Sequence, residues 1–345
     1  MLAPRRAGFV FDKVLYFPHI RVPDNEWFTR ALLYWDEVGT IVPHAPPDEV
    51  REILGEHTLR LMDAGLVSPI KAGEARDVPR FDEAFIELIE ADPTIPTSSA
   101  PGTPRKSFQL HATKVGSELV KYLEARGLMM PTGSSWYTVE ERTADLLMTY
   151  LACTIGACEY IHMTPITDRA ESLAVLTGKS SAPRAPGTAV SRLEMTVLEG
   201  LLPAPAGGVS PQELAKFKEK HGELLRRFRR EIETFAVDAT TLEPELRQRR
   251  AELFRDDLAD QLEEVSARMK PRWPRIIFGT LCGVVAAAVP VAGAVAGGAA
   301  LAVAGAAPGL ASAVYAAFGD SKQDWQGSSV AYAALAQNRF RSSGG

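Results

Sequence analysis

Lys13-Val14-Leu15-Tyr16-Phe17-Pro18 opens the stretch that decides the fold, and D-N-E-W-F-T-R-A-L-L-Y-W-D-E-V-G-T-I-V over Asp24–Val42 completes it. The first run is rich in aliphatic and aromatic residues and is closed by proline, which cannot donate to a sheet ladder, so it reads as a strand. Asp24 offers an N-cap to a helix over Asn25–Val38, Gly39 stops that helix, and Thr40–Val42 begins a second strand. A strand-helix-strand unit of this kind implies an α/β layer with parallel pairing.

The same rhythm continues outward. Pro46–Ala64 carries a helical pattern, Leu66–Ile70 a strand pattern and Arg80–Ala91 another helix. Residues 92–105 (D-P-T-I-P-T-S-S-A-P-G-T-P-R) are rich in Pro, Ser and Thr without apolar periodicity, and form a long loop inside this part. Phe108–Lys114 returns to the sheet, Val115–Arg126 is helical, and Thr138–Ile161 reads as a long apolar helix central to the core. Loops at Lys179–Thr188 and Pro203–Pro211 follow, so the α/β domain is assigned to residues 1–205.

Beyond Ser210 the pattern turns helical. Ser210-Pro211-Gln212-Glu213 combines a cap, a first-turn proline and an acidic residue. Leu214, Phe217, His221, Leu224, Phe228, Ile232 and Phe235 then recur at spacings of three and four. After a break at Asp238–Pro244, Leu246, Phe254, Leu258, Leu262, Val265 and Met269 make a second stripe, so residues 210–270 read as two long amphipathic helices packed on each other. No charged residue occurs between Arg275 and Asp320, a span roughly twice the ~20 residues that one membrane-crossing helix needs. Residues 276–319 are therefore expected to form a hydrophobic Ala/Gly-rich helical hairpin, hidden in a membrane or in a protein interior. Gly279/Gly283, Gly293/Gly297 and Gly305/Gly309 give it three G-x-x-x-G spacings for close helix packing. Lys270, Arg272 and Arg275 precede it, in keeping with a hairpin whose ends stay on the cytoplasmic side. Large aliphatic residues, which contribute about -0.3 to -0.6 kcal/mol each to insertion, are sparse, so insertion is expected as a pair or conditionally. Residues 320–345 complete the chain as a C-terminal helix and tail.

The fold class is thus α/β (mixed) in the N-terminal part, followed by a mainly α-helical C-terminal part. With 345 residues, 46% hydrophobic and 23% charged, the chain is globular, and its net charge of -5 gives no general attraction to nucleic acid, so no nucleic-acid partner is expected. The first ten residues lack the apolar run of a secretory signal, which points to the cytoplasm, with inner-membrane association through 276–319. Cys153, Cys158 and Cys282 form no C-x-x-C pair and read as buried thiols, so neither a metal nor a cofactor is expected.

Nucleotide-binding and hydrolase signatures are missing, and the site candidates are correspondingly weak. Glu159 and His162 have the E-x-x-H spacing that offers two groups from one helix face, but no second copy exists to complete a di-iron site. Asp168 and Arg169 follow on a polar loop, and Trp35, Asp36, Glu37 cluster near the end of the first helix as ligand-binding candidates. Arg226, Arg227, Arg229 and Arg230 are interleaved with acidic residues and read as a solvated, salt-bridged face.

Leu15-Tyr16-Phe17-Pro18, Ala31-Leu32-Leu33-Tyr34-Trp35-Asp36 and Ile41-Val42-Pro43 resemble an uncharacterised bacterial family, domain of unknown function six-two-three-six. Phe217-Lys218, His221, Glu223-Leu224 and Phe228-Arg229 are similar to a helical stretch of the same family. The resemblance implies a bacterial intracellular protein and brings no activity or site residues with it. Three functions remain open: a sensing or binding module that controls a membrane-inserting hairpin, as in toxicity, immunity or pore-forming effectors; an enzyme with a site between the α/β layer and the 138–161 helix, using Glu159, His162 and Asp168; and a self-assembling protein that buries its hairpin against other copies.

Overall fold

The computed structural model describes residues 12–71, 80–93, 95, 107–133, 135–169, 187–199, 201–203, 209–269 and 327–340. Its elements begin with β1 (Lys13–Tyr16), α1 (Glu26–Tyr34), β2 (Glu37–Val42), α2 (Pro47–Asp63), β3 (Val67–Lys71) and α3 (Phe81–Ala91). There follow β4 (Ser107–His111), α4 (Ser117–Ala125), β5 (Met129–Pro131), β6 (Trp136–Glu140), α5 (Glu141–Gly156) and β7 (Thr164–Ile166). The remainder is helical: α6 (Thr188–Leu198), α7 (Pro211–Lys220), α8 (Gly222–Ala239), α9 (Pro244–Met269) and α10 (Ala331–Phe340).

Four strands pair in the order β3-β2-β1-β7, all parallel, and β4-β6-β5 form a separate antiparallel sheet. The period-two alternation of β1 divides the core between two faces. Val14 and Tyr16 join α1 and helices α6 to α10, whereas Leu15 and Phe17 join α3, α4, α5 and the small sheet. Burial on both faces explains why β1 and β2 read as continuous apolar runs. From β1 the chain steps outward to β2 and β3, then crosses to the other side of β1 for β7. The order reverses between β1 and β7, so their C-terminal ends flank the crevice where open parallel sheets place ligands.

Several expectations shift in the structure. α1 ends at Tyr34, and its cap is Asn25, whose Oδ1 accepts from the Phe28 amide at 2.8 Å. Gly39 does not stop a helix; it lies inside β2, where an added Cβ would stand 2.7 Å from Met163 Sδ and 2.9 Å from Ile70 Cγ1. The close packing of strand and neighbours, not a turn, requires glycine there. Of residues 108–114, those up to His111 enter the antiparallel sheet, not the parallel one, and Ala112–Lys114 form a 3-10 turn; the helix expected over Thr138–Ile161 is confined to Glu141–Gly156 because Trp136–Glu140 pairs with β4 and β5. Its start is made by Glu140, whose carboxylate accepts from the Arg142 and Thr143 amides.

The C-terminal helices follow the expected Ser210 cap, with the Glu213 amide donating to Ser210 Oγ at 3.2 Å. The single helix expected from there is broken at His221 into α7 and α8. α9 touches α8 through the stacked rings of Phe235 and Phe254, 4.0 Å apart, while its buried residues Ala251, Leu258, Leu262 and Val265 belong to the core shared with α6 and α10. The Tyr332 hydroxyl of α10 donates to the Leu33 carbonyl at 2.7 Å and fastens this helix to the α/β part. Among the described residues, no helix is long and apolar enough to cross a membrane. The segment 276–319, with Gly279, Gly283, Gly293, Gly297, Gly305 and Gly309, lies outside the described residues.

Candidate functional site

A cleft of about 770 Å³ opens beside the C-terminal end of β1. Its floor is the Pro18–Arg21 loop that leaves β1; its walls are the start of α2, the small sheet at Phe108, Leu110 and Trp136, and the first turns of α5 at Ala144, Asp145 and Met148.

The α2 wall is shaped by Gly55, which at φ 72° and ψ 163° interrupts the helix. This backbone conformation is open to glycine and costly for other residues. The Arg21 guanidinium satisfies carbonyls at the break, with Nε donating to Ile53 O at 2.7 Å and Nη2 to Glu52 O at 3.0 Å. Arg21 therefore acts as a helix cap at the rim of the cleft.

Lys114 is the feature that sets the cleft apart. It closes a single 3-10 turn, Ala112–Lys114, which is pinned by the Ala112 amide donating to Ser135 O at 2.8 Å and by His111 at its start. The Lys114 side chain is 4% exposed. Among the described residues its Nζ reaches only the sulfur of Met148, at 4.0 Å. A buried ammonium without a counter-charge is disfavoured, and burial pulls this amine down to about 7.

His111 is held next to it. Its Nδ1 accepts from the Thr113 amide at 3.3 Å, so the ring proton sits on Nε2, which points at Glu49 Oε1 from 3.5 Å. Burial keeps the ring below the usual histidine range despite Glu49. His19 stacks on Phe108, and its value is also lowered, first by burial and then by the charge of Arg169.

The sequence candidates are distributed over two opposite edges of the parallel sheet. Asp168 and Arg169 follow β7 and stand at the edge that carries the cleft. Arg169 lies 4.4 Å over the Phe108 ring and pairs with Glu141 at 3.5 Å and with buried Asp145 at 3.6 Å. Asp168 accepts from Tyr16 Oη at 3.1 Å and from Asn25 Nδ2 at 3.2 Å, which ties β7 to β1 and to the start of α1. Burial, then the Asp168 charge, keeps the Tyr16 phenol protonated well above its ordinary range.

Glu159 and His162 do not join them. The helix ends at Gly156, so both are exposed residues of the turn leading into the N-terminal end of β7. They are not an i, i+3 pair on a helix face, and His162 takes a left-handed φ of 46°.

Trp35, Asp36 and Glu37 also lie at this far edge, as a structural clasp. Trp35 is fully buried, and Glu37 pairs with Lys13 at 2.7 Å. Arg229 of α8 is 4% exposed, so it is not part of a solvated face. Its Nη1 donates to Asp12 at 2.9 Å and Asp36 at 3.0 Å, its Nη2 to Asp36 at 2.9 Å and to the Tyr34 carbonyl. Burial pushes Asp36 up, but the Arg229 hydrogen bonds and charge prevail and hold its carboxyl below the usual range. Beside this clasp, burial raises Glu194, which accepts from Tyr34 Oη at 2.9 Å, to about 7. Lys218 donates to the Trp35 carbonyl, and burial lowers it to about 8.

Sequence reasoning did not find Lys114, Asp145, His111 or His19. His19, the His111–Lys114 turn and Asp145 are far apart in the chain and become neighbours through the sheet and the return of the chain along α5. The one local signal was a lysine, Lys114, between an apolar strand and an apolar helix. Comparison of the chain with family models, with curated proteins and with solved structures finds no match.

Proposed function

We propose that the α/β part is a binding module that takes a small ligand in the Lys114 cleft, and that it controls the uncharged segment Ile276–Gly319 as a membrane-active hairpin. The observation that carries the binding reading is the Lys114 amine, buried in the cleft wall with a thioether as its only near partner among the described residues. An unpaired buried amine is a cost that packing alone would remove, and such residues concentrate at functional sites. The cleft volume also falls within the range of small-molecule pockets.

Control of the hairpin is supported by where its flanks sit. α9 ends at Met269 and α10 begins at Ala331, and the two helices pack on each other in the core shared with β1. Residues 270–326 thus connect two helices that pack on each other. On this reading the folded part works in the cytoplasm, with inner-membrane association through 276–319. A second reading, an enzyme working between the α/β layer and α5, is supported by the low proton affinity of Lys114, which suits a nucleophile or base.

Two experiments test the proposal. In a thermal-shift screen of neutral, anionic and cationic small molecules, compounds are expected to raise the Tm of the wild-type protein and to lose that effect in Lys114→Met. A screen without such compounds contradicts the cleft reading. Fractionation of bacteria expressing the full chain, with an alkaline carbonate wash, is expected to retain it on membranes and to release a version lacking residues 276–319. Release of both contradicts the membrane reading.

A further inference from the structure

The charge balance of the cleft narrows the class of ligand. Arg21 is committed to the carbonyls of Glu52 and Ile53, and Arg169 to Glu141 and Asp145. Glu49 faces His111, and Glu52 and Asp145 add two more carboxylates to the lining. Lys114 and Arg21 are thus the two lining cations without a carboxylate partner among the described residues, and of these Arg21 is already spent on two carbonyls while the Lys114 amine meets only a thioether. A dianion such as a phosphate monoester would have one amine to pair with, while the carboxylates of Glu49 and Glu52 in the same lining repel it more strongly than they repel a monoanion. A monoanion matches the amine alone. The surfaces around it are Phe108, Leu110, Trp136 and Met148, which fit an aliphatic or aromatic body.

We infer that the cleft binds a monocarboxylate with an apolar body, its carboxylate paired with the Lys114 ammonium and its body against Phe108, Leu110, Trp136 and Met148. The inference rests on the cleft being a ligand site. It adds a consequence that a general pocket would not have: an amine that is largely deprotonated at about pH 8 regains its proton when the carboxylate arrives, so binding takes up protons from the buffer.

The test is isothermal titration calorimetry of the full-length protein with octanoate and phenylacetate, set against octanamide, phenylacetamide and octylamine, at about pH 8 in two buffers of different ionisation enthalpy. The carboxylates are expected to bind at least about tenfold tighter than their amides, the affinity ratio that ~1.4 kcal/mol represents, with net proton uptake that differs in heat between the buffers. In Lys114→Met that preference and the proton uptake are expected to disappear. Amides that bind as well as the carboxylates, stronger binding of octylamine, or carboxylate binding without proton uptake overturns the inference and leaves the cleft reading standing. Failure of both carboxylates alongside other compounds that bind in a Lys114-dependent way has the same meaning. If no small molecule binds, both fall. The proton-uptake measurement uses the wild-type protein, so it does not depend on how the variant folds.

Discussion

Lys114→Met is expected to stabilise the unliganded protein by about 2 to 4 kcal/mol at neutral pH, an unusual sign for a substitution at a buried position. The methionine fits the volume of the lysine stem and removes a charge that burial opposes. The pH dependence supplies the signature. Folded Lys114 releases its proton near 7, whereas the unfolded chain holds it up to the ordinary lysine value of 10.5. Between these values the unfolded state binds more protons, so wild-type stability rises with pH across that window. Urea denaturation at several pH values is expected to show this rise in the wild type and a smaller one in Lys114→Met, where Lys218, lowered to about 8, still contributes. Equal stabilities at all pH values would mean that the amine reaches water.

Arg229→Met is expected to destabilise the protein by about 3 kcal/mol. Removing the guanidinium deprives Asp12, Asp36 and the Tyr34 carbonyl of a common donor, and detaches α8 from the start of β2. Part of the damage is limited because Asp36 is partly exposed and regains water. Since the Asp36 carboxyl is held below its ordinary range, the contribution of the pair is present above that range and is lost as the pH falls through it. The variant is therefore expected to lose less than the wild type on acidification, as thermal unfolding at graded pH would show. A change within a few tenths of a kcal/mol would show that the clasp contributes nothing.

Much of the fold was legible where local chemistry and global packing agree. The apolar run at Lys13–Phe17 and the Ser210 cap each carry their own signal, and each appears in place, while the helix expected over Asn25–Val38 is shorter, Glu26–Tyr34, and is capped by Asn25 instead of Asp24. Gly39 misled because glycine serves both as a helix stop and as a space-saving strand residue, and only the position of Met163 and Ile70 decides between them. Thr138–Val139 looked helical by continuity with the apolar residues that follow, although it pairs across the antiparallel sheet.

The site was less legible than the fold, and the reason is topological. Asp168 and Arg169, singled out on a polar loop, follow β7 and lie at the edge of the parallel sheet that carries the cleft. Glu159 and His162 precede β7 in the chain, and a parallel strand separates what lies before it from what lies after it by its whole length. Asp36 and Arg229 are 193 residues apart, so their pairing could not be read from either neighbourhood. Lys114 and Asp145 are brought to one cleft by strand pairing, which single-residue patterns do not encode.

The most direct test of the account is the protonation of Lys114 in the wild-type protein, followed by NMR of lysine side chains labelled at the ε-carbon and assigned by comparison with Lys114→Met. A Lys114 resonance is expected to titrate near pH 7, below Lys218 near 8 and far below the surface lysines, and to move toward the ordinary range when octanoate is added. Titration of Lys114 together with the surface lysines, unchanged by octanoate, would contradict it.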